Sequence, residues 1–365
     1  MLYLTLTKRQ ITLRPNTRVT RLEQVSLQMN ATKFRLTDIA RAAGVSTATV
    51  DRVLNNRKGV HARTSARVQE AVRRLSEEGV LGRPAIKQLD FLIPTGSSVF
   101  LEGMAQDVER MKDQFVLSGV EPRCHRIEGF NAASIAERLR GIGSDSDGIC
   151  VVAIDHPLVR EAINSVVARG VPVVTLVSDI SSSKRLGYVG MDNHAAGRLG
   201  GYLLGRFLAG RAGPVALLAG SLTYRGHQER EAGFRLILSE DYPDLEIVDL
   251  REGQDQNVRT YQQALALLDL NPRLLGIYNI GGGSAGVAQA LLERGRTDVV
   301  FVAHELNAAT RDHLVNGVID AVIHQNAVQE LNGAVRMLLN FHAGREVGAN
   351  LDPVRAEVFF RENLP

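Results

Sequence analysis

A chain of 365 residues with 44% hydrophobic and 23% charged side chains holds enough apolar material for two or three domains with their own cores, which excludes a disordered polymer. It contains no apolar run near the roughly 18 residues that a membrane span needs, and its opening MLYLTLTKRQ lacks the order of a secretory signal, so no membrane association and a cytoplasmic location are expected. The net charge of +3 is unevenly placed: residues 1–34 and 35–83 each carry +5, leaving −7 on residues 84–365. A basic front on an acidic body points to one module that meets a polyanion and another with a different task, the alternative being a solvated basic tail without a partner.

Residues 1–34 show no sustained period and include Pro15 among scattered Thr, Arg and Gln, which predicts a flexible basic leader. Met29 stands just before the first regular pattern and is an alternative start. Within residues 35–79 the pattern is helical in three short pieces. LTDIARAA places Leu36, Ile39, Ala40 and Ala43 on one face, Gly44 suits a left-handed turn, and Ser46 suits the N-cap of the next helix. In that helix, TATVDRVL, residues Val50, Val53 and Leu54 face inward while Thr47, Ala48, Asp51, Arg52 and Asn55 face away. The loop NNRKGVHAR leads to a third helix, TSARVQEAVRRLSEEG, with Val68, Val72 and Leu75 inward. Three helices around a glycine turn make a helix-turn-helix unit.

Residues 80–88, with Gly82 and Pro84, are expected as a linker. Beyond it, residues 89–365 alternate apolar runs with amphipathic stretches. The runs LDFLIP, DGICVVA, VPVVTLVS, GPVALLAG, LLGIYNI, DVVFVAH and DAVIHQ read as buried parallel strands, and PLVREAINSVVARG or AGVAQALLERG as crossover helices. So long an alternation exceeds one sheet and predicts an α/β body of two doubly wound parallel lobes with a cleft between them. Cys124 and Cys150 show neither CxxC spacing nor a companion His cluster, so buried free thiols are expected rather than a disulfide or metal site.

The segment LTDIARAAGVSTATVDRVLNNRKGVHARTSARVQEAVRRL resembles the DNA-binding headpiece of the lac repressor (LacI) family of bacterial transcription regulators, without a gap over about 40 residues. The body from Leu89 to about Phe360 resembles, more loosely, the ribose-binding-protein type of periplasmic binding fold that this family carries as its effector domain. The resemblance implies a ligand-controlled transcription regulator, most often a repressor of a carbohydrate uptake or catabolic operon. It would bind near-palindromic duplex operator DNA as a homodimer, with a tetramer as the alternative, and would need no cofactor, metal or catalysis.

In such a unit the second helix enters the major groove by its N-terminal end, so Thr47, Ala48 and Arg52 are the candidate base readers. Arg52 suits a bidentate contact with guanine, and the two short side chains suit a thymine methyl. Ser46, Thr49, Asn55 and Thr64 are the candidate backbone contacts. Asp51 stands where the family usually has Ser. A carboxylate facing phosphate would be repelled, which leaves acceptance of a hydrogen bond from a cytosine amino group or pairing with Arg52 or Arg57, of which pairing is preferred. The family's hinge helix wedges a leucine into the minor groove; VLGRPAIKQ lacks the usual pattern, and Leu81 is the only obvious wedge.

In the body, loops at the carboxyl ends of strands should line the cleft. The candidate effector ligands are Ser97, Ser98 and Phe100; Ser178 and Asp179; Arg230; Asn279; Glu305 and Gln325. The resemblance places Arg230, Glu305 and Gln325 where related binding proteins set Arg, Asp and Gln against the ligand, and Glu305 is one methylene longer than that Asp. For Arg230 the alternative is a salt bridge with Glu229 or Glu231, and for Ser97 and Ser98 a turn role. GGGSAG, residues 281–286, fits GxGxxG and raises a nucleotide site as the alternative to cleft-lining backbone. Two competing functions remain: a sugar-binding protein of a transport system, and an NAD-binding enzyme using that loop. His304 and His324 are expected as cleft-edge or core side chains.

Overall fold

The computed structural model describes residues 36–54, 60–77 and 87–365, except Ser97, Phe130 and Ser144. The expected leader, Asn55, Arg57, Leu81 and Ser97 therefore lie outside the described residues, as do the side chains of Leu36, Leu54 and Leu75. The chain divides into two compact units, residues 1–85 with 117–119 and residues 86–116 with 120–365.

The first unit contains α1 (Leu36–Ala43), α2 (Thr47–Leu54) and α3 (Ala62–Glu77). Apolar residues at three-to-four spacing meet in one core of Ile39, Ala40, Ala43, Val50, Val68, Ala71 and Val72, with Val45 and Val53 packed against it. Gly44 turns the chain at φ 61°, a left-handed conformation that costs glycine nothing. The Arg67 guanidinium donates to the carbonyls of Ala43 (2.6 Å) and Gly44 (3.1 Å), satisfying acceptors that the end of α1 leaves open. Ser46 Oγ accepts from Thr49 N at 3.2 Å and so starts α2 as an N-cap.

The second unit alternates strands and helices in chain order: β1 (Lys87–Thr95), α4 (Val99–Arg110), α5 (Lys112–Leu117), β2 (Val120–Glu128), α6 (Ala132–Gly141), β3 (Gly148–Val151), α7 (Pro157–Ala168), β4 (Val173–Leu176) and β5 (Gly187–Val189). There follow α8 (Asn193–Leu208), β6 (Gly213–Ala219), α9 (Arg225–Asp241), β7 (Leu245–Glu252), α10 (Asn257–Leu270), β8 (Gly276–Asn279) and α11 (Ser284–Glu293). The chain ends with β9 (Val300–His304), α12 (Ala308–Val315), β10 (Ala321–His324), α13 (Ala327–His342), β11 (Glu357–Phe359) and a short 3-10 turn.

Two sheets result, ordered β2-β1-β3-β4-β5 and β11-β10-β9-β8-β6-β7. Every pairing is parallel except β10 with β11. All seven expected strands are present. The four strands not anticipated, β2, β5, β7 and β11, are the edges of the two sheets. Strand β1 begins at Lys87, inside the span read as linker, because Lys87 Nζ and Gln88 N both donate to Asp147 (2.8 and 2.9 Å).

The lobes are not contiguous in sequence. Helix α13 returns from the second sheet to the first, where Leu331, Ala334, Val335, Met337 and Leu338 join the core around β1, β3 and β4. Gly148 and Gly187 allow this approach: a Cβ at either would lie within 3 Å of Leu338 or Met337 side-chain atoms. Phe91 on β1 pairs with Cys124 on one side and Cys150 on the other. Two inter-strand steps, about 9.6 Å, exceed disulfide reach, and both thiols are free, Cys150 buried and Cys124 half-buried. Among the described residues, no helix is long and apolar enough to cross a membrane.

Candidate functional site

In the first unit, packing of Val50 and Val53 into the core turns the opposite face of α2 to solvent. Thr47, Ala48 and Arg52 are exposed on it, with Ser46 exposed at its start, while Thr49, Asp51 and Thr64 are half-buried. Thr49 Oγ1 lies 2.9 Å from Ser46 Oγ, so the two hydroxyls share one corner at the helix N-terminus. A guanidinium beside two short side chains on an exposed helix is chemically able to reach base edges, and hydroxyls at a helix N-terminus suit phosphate.

In the second unit, a solvent-open cleft lies where the strands of both sheets end. Residues just past β1, β3 and β4 (Ser98, Phe100, Val152, Val177, Ser178) form one wall. The other follows β6, β7, β8, β9 and β10 (Tyr224, His227, Arg230, Asp255, Gly281, Gly282, Glu305, Gln325). An adjoining compartment of about 650 Å3 shares Phe100, Gly282 and Glu305 and is also lined by His304 and Asn307. Carboxyl ends of parallel strands carry the ligand in open α/β folds.

Arg230, on the first turns of α9, is 2% exposed. Its Nε donates to Asn193 Oδ1 (2.8 Å), its Nη1 to Ile280 O (2.9 Å) and its Nη2 to Gln325 Oε1 (3.5 Å). The salt-bridge alternative does not occur, since Glu229 pairs with Arg225 and Glu231 with Arg235. Arg230 instead ties the start of α8 to the ends of β8 and β10. Gln325 Nε2 in turn donates to Glu305 Oε1 at 2.6 Å. Glu305 is 7% exposed and its Oε2 has no hydrogen bond. Burial pushes its carboxyl up to about 7, against the pull of Arg230 and Gln325.

Ser98 and Ser178 line the cleft and also serve the backbone: Ser98 Oγ accepts from Leu101 N at the start of α4, and Ser178 Oγ accepts from Gly226 N (3.3 Å). Phe100 lies half-buried in the same wall. Asp179 is not in the cleft; Thr175 Oγ1 donates to it (2.7 Å) and Arg185 pairs with it. Nor does Asn279 line it. Asn279 Nδ2 donates to Gly281 O, Gly282 O and Ser284 Oγ and so shapes the glycine loop behind the wall. His304 is buried with Nε2 2.6 Å from the Tyr278 hydroxyl, and His324 Nδ1 accepts from Leu306 N.

The glycines of GGGSAG have a packing reason. A Cβ on Gly286 would lie 2.1 Å from Asn257 O, and one on Gly283 2.2 Å from Thr260 Oγ1. They let α11 lie against α10, and the Asp255 carboxylate already accepts from Gly282 N (2.6 Å), where a dinucleotide phosphate would need to sit.

Three cleft residues, Val177 (φ 63°), Asp255 (φ 56°) and Glu305 (φ 68°), hold left-handed backbone without being glycine, a strain that collects at ligand sites. Asp255, His227 and Tyr224 escaped the sequence reading. Asp255 follows β7, an edge strand whose polar sequence hides its period, so the loop after it was not placed at a strand end. Desolvation of the half-buried His227 pushes its imidazole below the usual range despite Asp255.

One buried acid lies behind the cleft. Glu330, in the first turn of α13, is 0% exposed, and neither carboxyl oxygen has a hydrogen bond. Burial, then the nearby Glu305, push it well above the ordinary 4.5, with Arg230 opposing. Folded Glu330 therefore stays protonated while the unfolded chain ionises it above 4.5, so stability present at low pH is lost as pH rises from there. Glu330→Gln should raise the melting temperature by an amount that grows as pH rises above about 5. A constant offset across that range in calorimetric scans would contradict a neutral Glu330.

Residues 90–346 match the family described as periplasmic binding protein domain, and residues 35–76 match bacterial regulatory proteins of the lacI family. The chain belongs to the periplasmic binding protein domain family over its body and carries a lacI-type regulatory domain at residues 35–76. It is 28% identical over 222 residues to the HTH-type transcriptional repressor PurR of Vibrio cholerae (strain M66-2), covering 56% of this chain and 60% of that one. It is also 28% identical over 244 residues to the lactose operon repressor of Escherichia coli (strain K12), covering 64% of each. The chain thus spans 60% and 64% of the lengths of these two relatives. The fold matches GanP, a glucose-galactose binding protein from Geobacillus stearothermophilus, with TM-score 0.69 at 24% identity, over 76% of this chain and 99% of that one.

Proposed function

We propose that this protein is a lacI-type, sequence-specific DNA-binding transcriptional regulator, a repressor of a carbohydrate uptake or catabolic operon, controlled by a small sugar-like effector in the cleft. What carries this reading is one chain that joins an exposed Thr47–Ala48–Arg52 helix face to a body whose strand ends converge on a buried Arg230–Gln325–Glu305 constellation. Arg52 reads bases with Thr47 and Ala48, while Ser46, Thr49, Asn55 and Thr64 hold phosphates; Asp51 orients a neighbouring arginine. Ser98, Phe100, Ser178, Arg230, Glu305 and Gln325 face or frame the effector, and the protein works in the cytoplasm. One headpiece covers only a few base pairs, so the working form is a homodimer on a near-palindromic site. The effector acts by binding one lobe arrangement more tightly than the other.

The named curated relatives are repressors, and Asp255 on the Gly282 N–H of GGGSAG weighs against an NAD-binding reading of that loop. The transport-protein reading draws on GanP but leaves the residues 35–76 headpiece without a task. Fluorescence anisotropy on fragments of the gene's own upstream region, across a salt series with and without sugars, tests the proposal. We expect one fragment to be preferred, with affinity falling steeply as salt rises and shifting with a sugar. Equal binding to all fragments under every condition would overturn it.

A further inference from the structure

The cleft wall carries two carboxylates, Asp255 and Glu305, and one guanidinium, Arg230. Among the described residues, no other Lys or Arg lines this cleft or the adjoining compartment. Arg230 is largely engaged: Nε and Nη1 donate to Asn193 Oδ1 and Ile280 O, and Nη2 lies 3.5 Å from Gln325 Oε1 and 3.7 Å from Met191 Sδ. An acid entering the cleft would compete with these acceptors for the guanidinium.

The carboxylates are differently placed. Glu305 is more than nine-tenths buried, with Oε1 held by Gln325 and Oε2 lacking a hydrogen bond. The groups facing it are Arg230 from α9, His324 from β10 and Gln325 just after it, Asp255 after β7 and Glu330 from α13. His324 Nδ1 lies 3.8 Å from Oε2 but already accepts the Leu306 N–H, so it carries no proton toward the carboxylate. Asp255 occupies the N–H of the glycine loop, at the place where an incoming anion would otherwise be bound. A buried acceptor without a donor is costly, and a hydroxyl-bearing ligand can supply the donor.

We propose that Asp255 and Glu305 select the effector by charge: the cleft takes an uncharged polyol that donates a hydrogen bond to Glu305, and it rejects sugar acids and sugar phosphates. This rests on the carbohydrate-effector reading above and narrows it. Rejection follows because an anion would face Asp255 without a free cation to receive it, a repulsive element of the kind that sets specificity. Binding of a donor to Glu305 favours its ionised form, so affinity for the neutral sugar should rise with pH through about 7, and Glu305→Gln should flatten that rise.

The test uses the full chain in thermal-shift and calorimetric titrations against neutral pentoses and hexoses, each paired with its uronic acid and its terminal phosphate. We expect a neutral sugar to bind and its acid and phosphate partners to bind about tenfold more weakly or worse. Asp255→Asn, which keeps an acceptor for Gly282 N, should close most of that gap. An acid or phosphate that binds as tightly as its parent sugar, or a gap that Asp255→Asn leaves unchanged, overturns the proposal while leaving a carbohydrate effector in place. If no member of any pair binds, the carbohydrate reading fails and this proposal falls with it.

Discussion

Replacing Arg230 by Met should cost the protein several kcal/mol of stability and its effector response together. The guanidinium is the donor for Asn193 Oδ1 and Ile280 O and the nearest donor to Gln325 Oε1, and an acceptor left buried without a partner costs about 1–3 kcal/mol. Two such losses, about 2–6 kcal/mol, would lower the melting temperature by roughly 4–24 °C for a body of this size. Removing the cation also withdraws the pull that opposes the rise of the Glu305 and Glu330 carboxyls, so the loss should deepen as pH rises. Arg230→Lys keeps the charge but lacks the fork that spans three acceptors, and it should fall between Met and wild type. Differential scanning calorimetry reads the first effect and titration with the best-binding sugar the second. A variant that melts with the wild type would mean that α8, β8 and β10 are held together without Arg230.

Replacing Arg52 by Ala should remove sequence preference on DNA while leaving the fold intact. Arg52 is exposed on α2, and the headpiece core does not include it, so melting of the protein should stay unchanged. A bidentate arginine–guanine contact discriminates by about 1–3 kcal/mol, which is about 5- to 150-fold in preference per half-site, and a dimer applies it twice. Non-specific, salt-driven binding should persist because phosphate contacts supply it. Asp51→Ser is the companion measurement: a uniform gain across sequences with base preference unchanged would exclude Asp51 as a cytosine reader. If Arg52→Ala kept full preference for the same fragment, base reading would have to lie elsewhere.

The seven strands legible in the sequence are interior to their sheets, buried on both faces, and hence appear as unbroken Val, Ile and Leu runs; strands β3, β4 and β8 are buried at every position. The four that were not legible are edges. Strand β2 reads VEPRCHRIE and β7 reads LEIVDLRE, sequences in which one exposed face and water-solvated polar groups erase the apolar run. Missing β7 had a functional cost, because Asp255 lies just beyond its carboxyl end. The same logic explains Asp179 and Asn279, which stand near strand ends in sequence yet spend their polar atoms on Thr175, Arg185 and the glycine loop.

The headpiece was determined by the sequence alone. Its contacts span few residues, so helical spacing, one glycine at the turn and one serine cap specify both the packed face and the face turned outward. The class of the body and the order of its interior strands were equally local, since burial on two faces leaves a one-dimensional signature. Only the tertiary structure decided which polar side chains meet. Arg230 reaches Asn193, Ile280 and Gln325 across separations of 37, 50 and 95 residues. Helix α13 completes the core of a lobe whose strands ended well before it in the chain. Hydrogen bonds over such distances depend on where the backbone turns bring side chains together, and no periodicity along the chain records that.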